Sequence, residues 1–276
     1  MTQLPEVEVI RKDLEREIVG KRIKDVNVRS AGLITHQRNR PEFYKALDGR
    51  KVEAVQRRGV RLLFVLDDQH TLLVRLGNQG TVIRQTASAT GDTDTQLILS
   101  FTTGGALHYS APEKDGELAV VPTDELTSDP QLSPAGIDPL ADQFTWHAFS
   151  RQLVSRKTGL KELLVDESFI VGLGDLYSDE ILWSAGLSPE RVSHTLSAQE
   201  VRRLYRAVLE ILYEAVKQGG TADPEPEDVD EDTGDFGDYI KVYGRENLPC
   251  ARCRQPIVRS KLAKDVVAFN CPNCQT

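Results

Sequence analysis

The chain has 276 residues, 39% hydrophobic and 28% charged, with a net charge of -8, which suits two ordinary domains with real cores plus a small module. No run of about 18 apolar residues exists, which excludes a membrane-spanning helix. The N-terminus, Met1-Thr2-Gln3-Leu4-Pro5-Glu6, lacks the basic-then-apolar pattern of a secretion signal, so a cytoplasmic monomer is expected.

Pro5 to Val19 predicts a helix: Pro5 suits the first turn, Glu6 and Glu8 favour its positive end, Val7, Ile10, Leu14 and Ile18 recur at helical spacing, and Gly20 ends it. From Lys21 to about Val121 the pattern is that of strands, among them Ile23–Val28, Val52–Val55, Leu62–Leu66, Thr71–Leu76, Gln96–Phe101 and Ala106–Ser110. Residues 1–125 therefore read as a helix plus an antiparallel sandwich or barrel. Thr123–Gln143 is rich in Pro, Ser and Asp, and 126–142 is assigned as a linker. Helical pieces follow in 143–221: Thr145–Val154, Leu160–Asp166, Ser168–Val171, Leu176–Ala185, and the long amphipathic Ala198–Lys217, which Ser197 and Glu200 cap.

Charge is unevenly spread. Asp223 to Asp238 holds nine acids and no base, while Lys241 to Thr276 holds seven bases and two acids. An acidic loop, 222–240, thus precedes a basic module, 241–276. The overall acidity argues against a nucleic-acid partner, but the basic module does not. Asp228, Asp230 and Asp232 hint at a calcium loop, yet Gly234 comes one place late and Tyr239 stands where a bidentate Glu is needed. A solvated loop is the better reading.

All four cysteines lie in two C-x-x-C pairs, Cys250/Cys253 and Cys271/Cys274. Two such pairs complete a tetrahedral thiolate site, and four thiolates leave no place for a catalytic water, so one structural zinc is expected. A disulfide framework is disfavoured without a secretion signal. Gly172 and Gly174 bracket a tight turn between helices. Such a turn either aims amides at a phosphate or is a plain packing corner, and the pattern alone does not choose. The five histidines show no ligand spacing, and Trp146 and Trp183 sit in apolar helical patterns that suggest core positions. Tyr239 and Tyr243 suit either a nucleic-acid contact or packing under the module.

Leu4-Pro5-Glu6-Val7-Glu8, the turn from Gly172 through Asp175 to Glu180, and Val242-Tyr243-Gly244-Arg245 leading into the cysteines occur in this order. In these motifs the chain closely resembles the formamidopyrimidine-DNA glycosylase / endonuclease VIII family from end to end. The resemblance implies an α+β multidomain fold: an N-terminal helix with an antiparallel β-sandwich, a helix–two-turn–helix domain, and a four-cysteine β-hairpin zinc finger. It also implies a protein, at the nucleoid when bound to DNA, that flips damaged bases, cleaves the glycosidic bond and nicks through a Schiff base on its N-terminal amine.

Several positions depart from the family pattern. The family's N-terminal proline and glutamate are replaced by Thr2 and Gln3; Glu6 is retained in a supporting role. The family's hairpin lysine falls on Val60, with Arg61 next to it. The loops that carry its wedges read Arg75-Leu76-Gly77-Asn78 and Ala111-Pro112-Glu113-Lys114-Asp115-Gly116, hydrophilic where stacking needs apolar groups. The turn asparagine is Asp175, while Lys161 matches a phosphate-contacting lysine and Arg245 is retained. The counterpart of the finger-tip arginine is Asp265 or Val266. Three functions follow from the resemblance. The chain binds damaged, abasic or otherwise non-standard DNA, more weakly than its relatives, with impaired or altered excision and lyase chemistry. Alternatively, it is an active glycosylase/lyase using the Thr2 amine. A third alternative is a repurposed scaffold that meets a protein partner through residues 223–238.

Overall fold

A computed structural model describes residues 2–86, 91–128, 136–221, 236–262 and 265–276. The acidic stretch as far as residue 235 and Lys264 lie outside them. The chain divides into two units, residues 1–133 and 134–276.

The first unit opens with α1 (Leu4–Ile18). Its Val7, Leu14 and Ile18 are buried because seven- and four-residue spacing puts them on one face. Eight strands follow: β1 (Ile23–Val28), β2 (Val52–Arg58), β3 (Arg61–Leu66), β4 (His70–Arg75), β5 (Thr81–Gln85), β6 (Thr95–Phe101), β7 (Ala106–Ser110) and β8 (Glu117–Pro122). They form two four-stranded antiparallel sheets, ordered β1-β6-β7-β5 and β2-β3-β4-β8. Alternate residues of both sheets, such as Val26, Leu62, Phe64, Leu72, Leu99, Leu107 and Leu118, meet α1 in one apolar core. The other face of the second sheet buries Leu63, Leu73, Ala119 and Val121 against Leu126.

Two helices interrupt the expected pattern. α2 (Arg40–Leu47) lies within the stretch read as strands. The Asn39 side chain accepts the Glu42 amide at 3.0 Å, a proline occupies the first turn, and Phe43 and Leu47, four apart, are buried. The short α3 (Glu125–Ser128) lies in the proline- and serine-rich stretch after β8.

The second unit contains α4 (Trp146–Ser155), α5 (Leu160–Leu164), α6 (Gly174–Ala185) and α7 (Ala198–Lys217), then the hairpin of β9 (Val258–Lys261) and β10 (Val267–Asn270). Ser197 Oγ accepts the Glu200 amide at 3.3 Å and Glu200 accepts the Ser197 amide at 2.7 Å, closing the expected capping box. Ser168–Val171 forms no helix. It is a turn whose Ile170 bridges to Ile137. α6 is buried along most of its length and packs on α5, α7 and β10, so its polar side chains must find partners inside the unit.

Candidate nucleic-acid interface and metal centre

Thr2 and Gln3 precede the first turn of α1, and Glu6 lies within it. Thr2 Oγ1 is 3.1 Å from the carbonyls of both Gly77 and Gly80, and Thr2 N donates to the Gly77 carbonyl at 3.3 Å. The residue is thus seated on the turn between β4 and β5. Gln3 occupies the N-cap without a side-chain capping bond, and its Oε1 is buried with no hydrogen-bond partner among the described residues. In the second turn, Glu8 binds Arg11 at 2.9 Å and the nearly buried Arg57 at 2.9 Å. Burial raises the Glu8 pKa, but the two guanidiniums outweigh it and hold the carboxyl below its ordinary range. Val60, at the family's lysine position, packs against the core; Arg61 pairs across the sheet with Arg75.

The loop carrying Glu113 and Asp115 meets the turn carrying Asn78. Both Asp115 oxygens lie 3.0 Å from Asn78 N, and Asn78 Nδ2 donates to Glu113 Oε2 at 2.8 Å. Asn78, Glu113 and Asp115 therefore each have a partner in the opposite loop. No spacing rule links residues so far apart in sequence, so the clamp is not legible in the sequence.

In the second unit, Gly172 and Gly174 take φ values of 70° and 57°, the left-handed conformation the tight turn requires. The Gly172 amide is already bound, donating to Glu167 Oε1 at 3.0 Å. Lys161 is fully buried. Its Nζ lies 2.8 Å from Asp179 Oδ1, donates to the Asp175 carbonyl at 2.8 Å and to Ser178 Oγ at 2.9 Å, and stands 3.3 Å from Asp175 Oδ1. Its charge is engaged within the unit, while the Asp175 carboxylate remains largely exposed at the start of α6. Burial pushes the Asp179 carboxyl up to about 7 despite Lys161. Arg245 is half-buried, and its Nε is buried with no hydrogen-bond partner among the described residues.

The four cysteine sulfurs lie within 4.8 Å of one another. Cys250–Cys274 and Cys253–Cys271 are separated by 3.9 and 3.4 Å. A disulfide measures about 2.0 Å, whereas sulfurs about 2.3 Å from one tetrahedral ion sit about 3.8 Å apart. The cage therefore suits a single metal ion, and among the described residues no histidine joins it.

The cage is fastened to α6 by side chains. Glu180 is 1% exposed, and its Oε1 accepts the amides of Val242 at 2.8 Å and Tyr243 at 2.9 Å. Its Oε2 accepts the Lys241 amide at 2.9 Å. Asp179 Oδ2 accepts the Phe269 amide of β10 at 2.9 Å. Gln275 Nε2 donates to the Leu187 carbonyl at 3.0 Å. The Arg252 guanidinium lies 3.9 Å from the Trp183 ring centre and donates to the Trp183 and Ser184 carbonyls. Trp183 packs beside the cysteines, Trp146 beside Tyr205, and both are half-buried. Tyr243 packs edge-on against Phe269, and Tyr239 stacks on Phe236 while 42% exposed. At the hairpin tip Asp265 is exposed and pairs with Lys261 at 2.5 Å.

Comparisons with known proteins match this architecture. The formamidopyrimidine-DNA glycosylase N-terminal domain matches residues 1–118, and the H2TH domain of that glycosylase matches 135–224. The formamidopyrimidine-DNA glycosylase of Desulfitobacterium hafniense (strain Y51) is 33% identical over 275 residues, covering 100% of each chain. That of Geobacillus kaustophilus is 34% identical over 275 residues, again covering 100% of each. A Lactococcus lactis Fpg point mutant complexed with Fapy-dG-containing DNA superposes with a TM-score of 0.90 at 28% identity, covering 99% of both chains. The complex of Lactococcus lactis Fpg with abasic-site DNA gives 0.89 at the same identity and coverage. Agreement over the full length, in sequence and in structure, places this chain in the formamidopyrimidine-DNA glycosylase family.

Proposed function

We propose that this protein binds damaged or abasic DNA and carries out attenuated excision and lyase chemistry with the Thr2 amine as nucleophile. Its similarity to Lactococcus lactis Fpg bound to Fapy-dG and abasic DNA supports the substrate class. The attenuation rests on one observation: Gln3 occupies the position next to Thr2.

Once Met1 is removed, Thr2 presents a primary amine. On an abasic site its nitrogen attacks the sugar aldehyde carbon, water leaves, and a C=N bond forms. Strand nicking then needs a base to remove the C2′ proton as the 3′ phosphate departs, and base excision needs a proton for the leaving base. A carboxylate can serve both; the Gln3 carboxamide can neither take nor give a proton near neutral pH. Loss of such help costs about 10²–10⁴-fold. Lys161 acts indirectly by holding Asp175, Ser178 and Asp179 at the start of α6. In this reading the half-buried Arg245 and the exposed Arg254 and Arg259 supply positive charge for backbone phosphates, and the exposed carboxylates of Asp175 and Asp265 weaken that attraction.

The cage would hold one Zn²⁺ through Cys250, Cys253, Cys271 and Cys274. Such an ion would cross-link the hairpin, and with four thiolate ligands it would supply no chemistry at the reacting sugar.

The deciding experiment compares the wild type with Gln3→Glu on a Fapy-dG duplex in single turnover, alongside borohydride trapping on an abasic duplex. The wild type should trap, excise slowly, and gain about 10²-fold or more in excision with Gln3→Glu. Wild-type excision already equal to that of Gln3→Glu overturns attenuation. Trapping that survives when Thr2 is blocked by acetylation overturns the nucleophile.

A further inference from the structure

We propose that Asp115 is a positioning residue for the Thr2 amine, acting through the single peptide unit that joins Gly77 to Asn78; this deepens the Thr2 reading above. A trans peptide aims its N–H and its C=O in opposite directions. Here the N–H belongs to Asn78 and points at the Asp115 carboxylate, whose two oxygens each lie at 3.0 Å. The C=O belongs to Gly77 and receives Thr2, from N at 3.3 Å and from Oγ1 at 3.1 Å. The carboxylate and Thr2 therefore sit at opposite edges of one peptide plane. A negative charge on the N–H side polarises the amide and strengthens the carbonyl as an acceptor.

The surroundings are built for this contact. Gly77 has φ +77°, and a Cβ there would stand 2.2 Å from Asp115 Oδ1, so only glycine lets the carboxylate this close. Arg75 Nη2 donates to the Asp115 carbonyl at 2.8 Å, and Asn78 Nδ2 binds Glu113. From within the core, the fully buried Tyr109 hydroxyl lies 3.0 and 3.2 Å from the carbonyls of Leu76 and Arg75. Burial, reinforced by Asp115, raises the Tyr109 pKa well above its ordinary value and keeps it a donor. A Cβ at Gly116 would meet that hydroxyl at 1.7 Å, so the loop crosses directly over it. The Gly80 carbonyl gives Thr2 Oγ1 a second acceptor at 3.1 Å. The turn is thus gripped from the loop and from the core, and its carbonyls face Thr2.

The test uses full-length protein whose N-terminus is Thr2, released by tag cleavage and checked by intact mass. Two readouts are taken on wild type, Asp115→Ala and Asp115→Asn. The first is the rate of periodate oxidation of the N-terminal amino alcohol, which needs no DNA. The second is single-turnover borohydride trapping on a saturating abasic duplex, with DNA affinity measured in parallel. Asp115→Ala should oxidise several-fold faster and trap several-fold slower, without weaker DNA binding. Asp115→Asn, which keeps a carbonyl acceptor, should return towards wild type in both. Unchanged periodate and trapping rates in Asp115→Ala overturn the seat and leave the Thr2 reading intact. Faster oxidation in Asp115→Ala without trapping in any variant overturns the Thr2 reading and leaves the seat standing. Thermal melting of the variants checks that the fold survives; should Asp115→Ala not fold, Asp115→Leu, which keeps the bulk but offers no acceptor to the Asn78 amide, decides by the same two readouts and the same outcomes.

Discussion

Glu180→Ala should loosen the metal module without touching a cysteine. The substitution removes an acceptor shared by three backbone amides, those of Lys241, Val242 and Tyr243. Val242 is fully buried, so its amide is left without water, at a cost of about 1–3 kcal/mol. Lys241 and Tyr243 are half-buried, so water recovers part of their loss, and together they add about 1–2 kcal/mol. Against this, burial makes the carboxylate unfavourable and raises its pKa although the three amides pull it down, so its removal returns some free energy. The balance is about 2–4 kcal/mol, and its midpoint corresponds to about a 100-fold increase in opening of the module. Zinc-loaded protein challenged with a chromogenic chelator should release its metal faster by that order. Glu180→Gln keeps one carbonyl oxygen and should fall between. Release from Glu180→Ala at the wild-type rate would show that this carboxylate does not anchor the module.

Cys253→Ser should lower zinc content, measured by atomic emission, because a hydroxyl is not an ionised thiolate at neutral pH. Asp179 should impose a pH dependence on folding. Burial pushes its carboxyl up to about 7 despite Lys161, so its stabilising contribution is present below the ordinary carboxylate range of the unfolded chain and lost as pH rises through about 7. The urea midpoint of the wild type, relative to Asp179→Asn, should therefore fall between pH 5 and pH 8. Ser197→Ala removes the reciprocal cap of α7 and should cost about 1 kcal/mol in thermal or urea unfolding.

Local patterns carried much of the fold. β1 and β7 begin and end where the alternation in Ile23–Val28 and Ala106–Ser110 says they should, and α7 lies between its Ser197 cap and the glycines at 219–220. α2 was masked by β-rich neighbours, although its Asn39 cap and the Phe43/Leu47 spacing were present. The cysteine cage was legible because ligand spacing within each pair is local. Asp115 reaching Asn78, or Asp179 reaching Phe269, was not: both bonds join segments brought together only by packing. Lys161 shows the same limit, since nothing in Leu160-Lys161-Glu162 announces that its ammonium faces inward toward α6.

The chain has two tryptophans, and one of them rests under Arg252 and against the cysteine cage. Its indole is therefore a built-in optical reporter. Demetallation frees nearby thiols and slackens the guanidinium cover, so the emission of Trp183 should change in step with metal loss. Trp146, beside Tyr205, supplies an internal reference. A Trp146→Phe protein would turn that signal into a label-free readout of the finger's integrity during DNA binding or oxidative challenge.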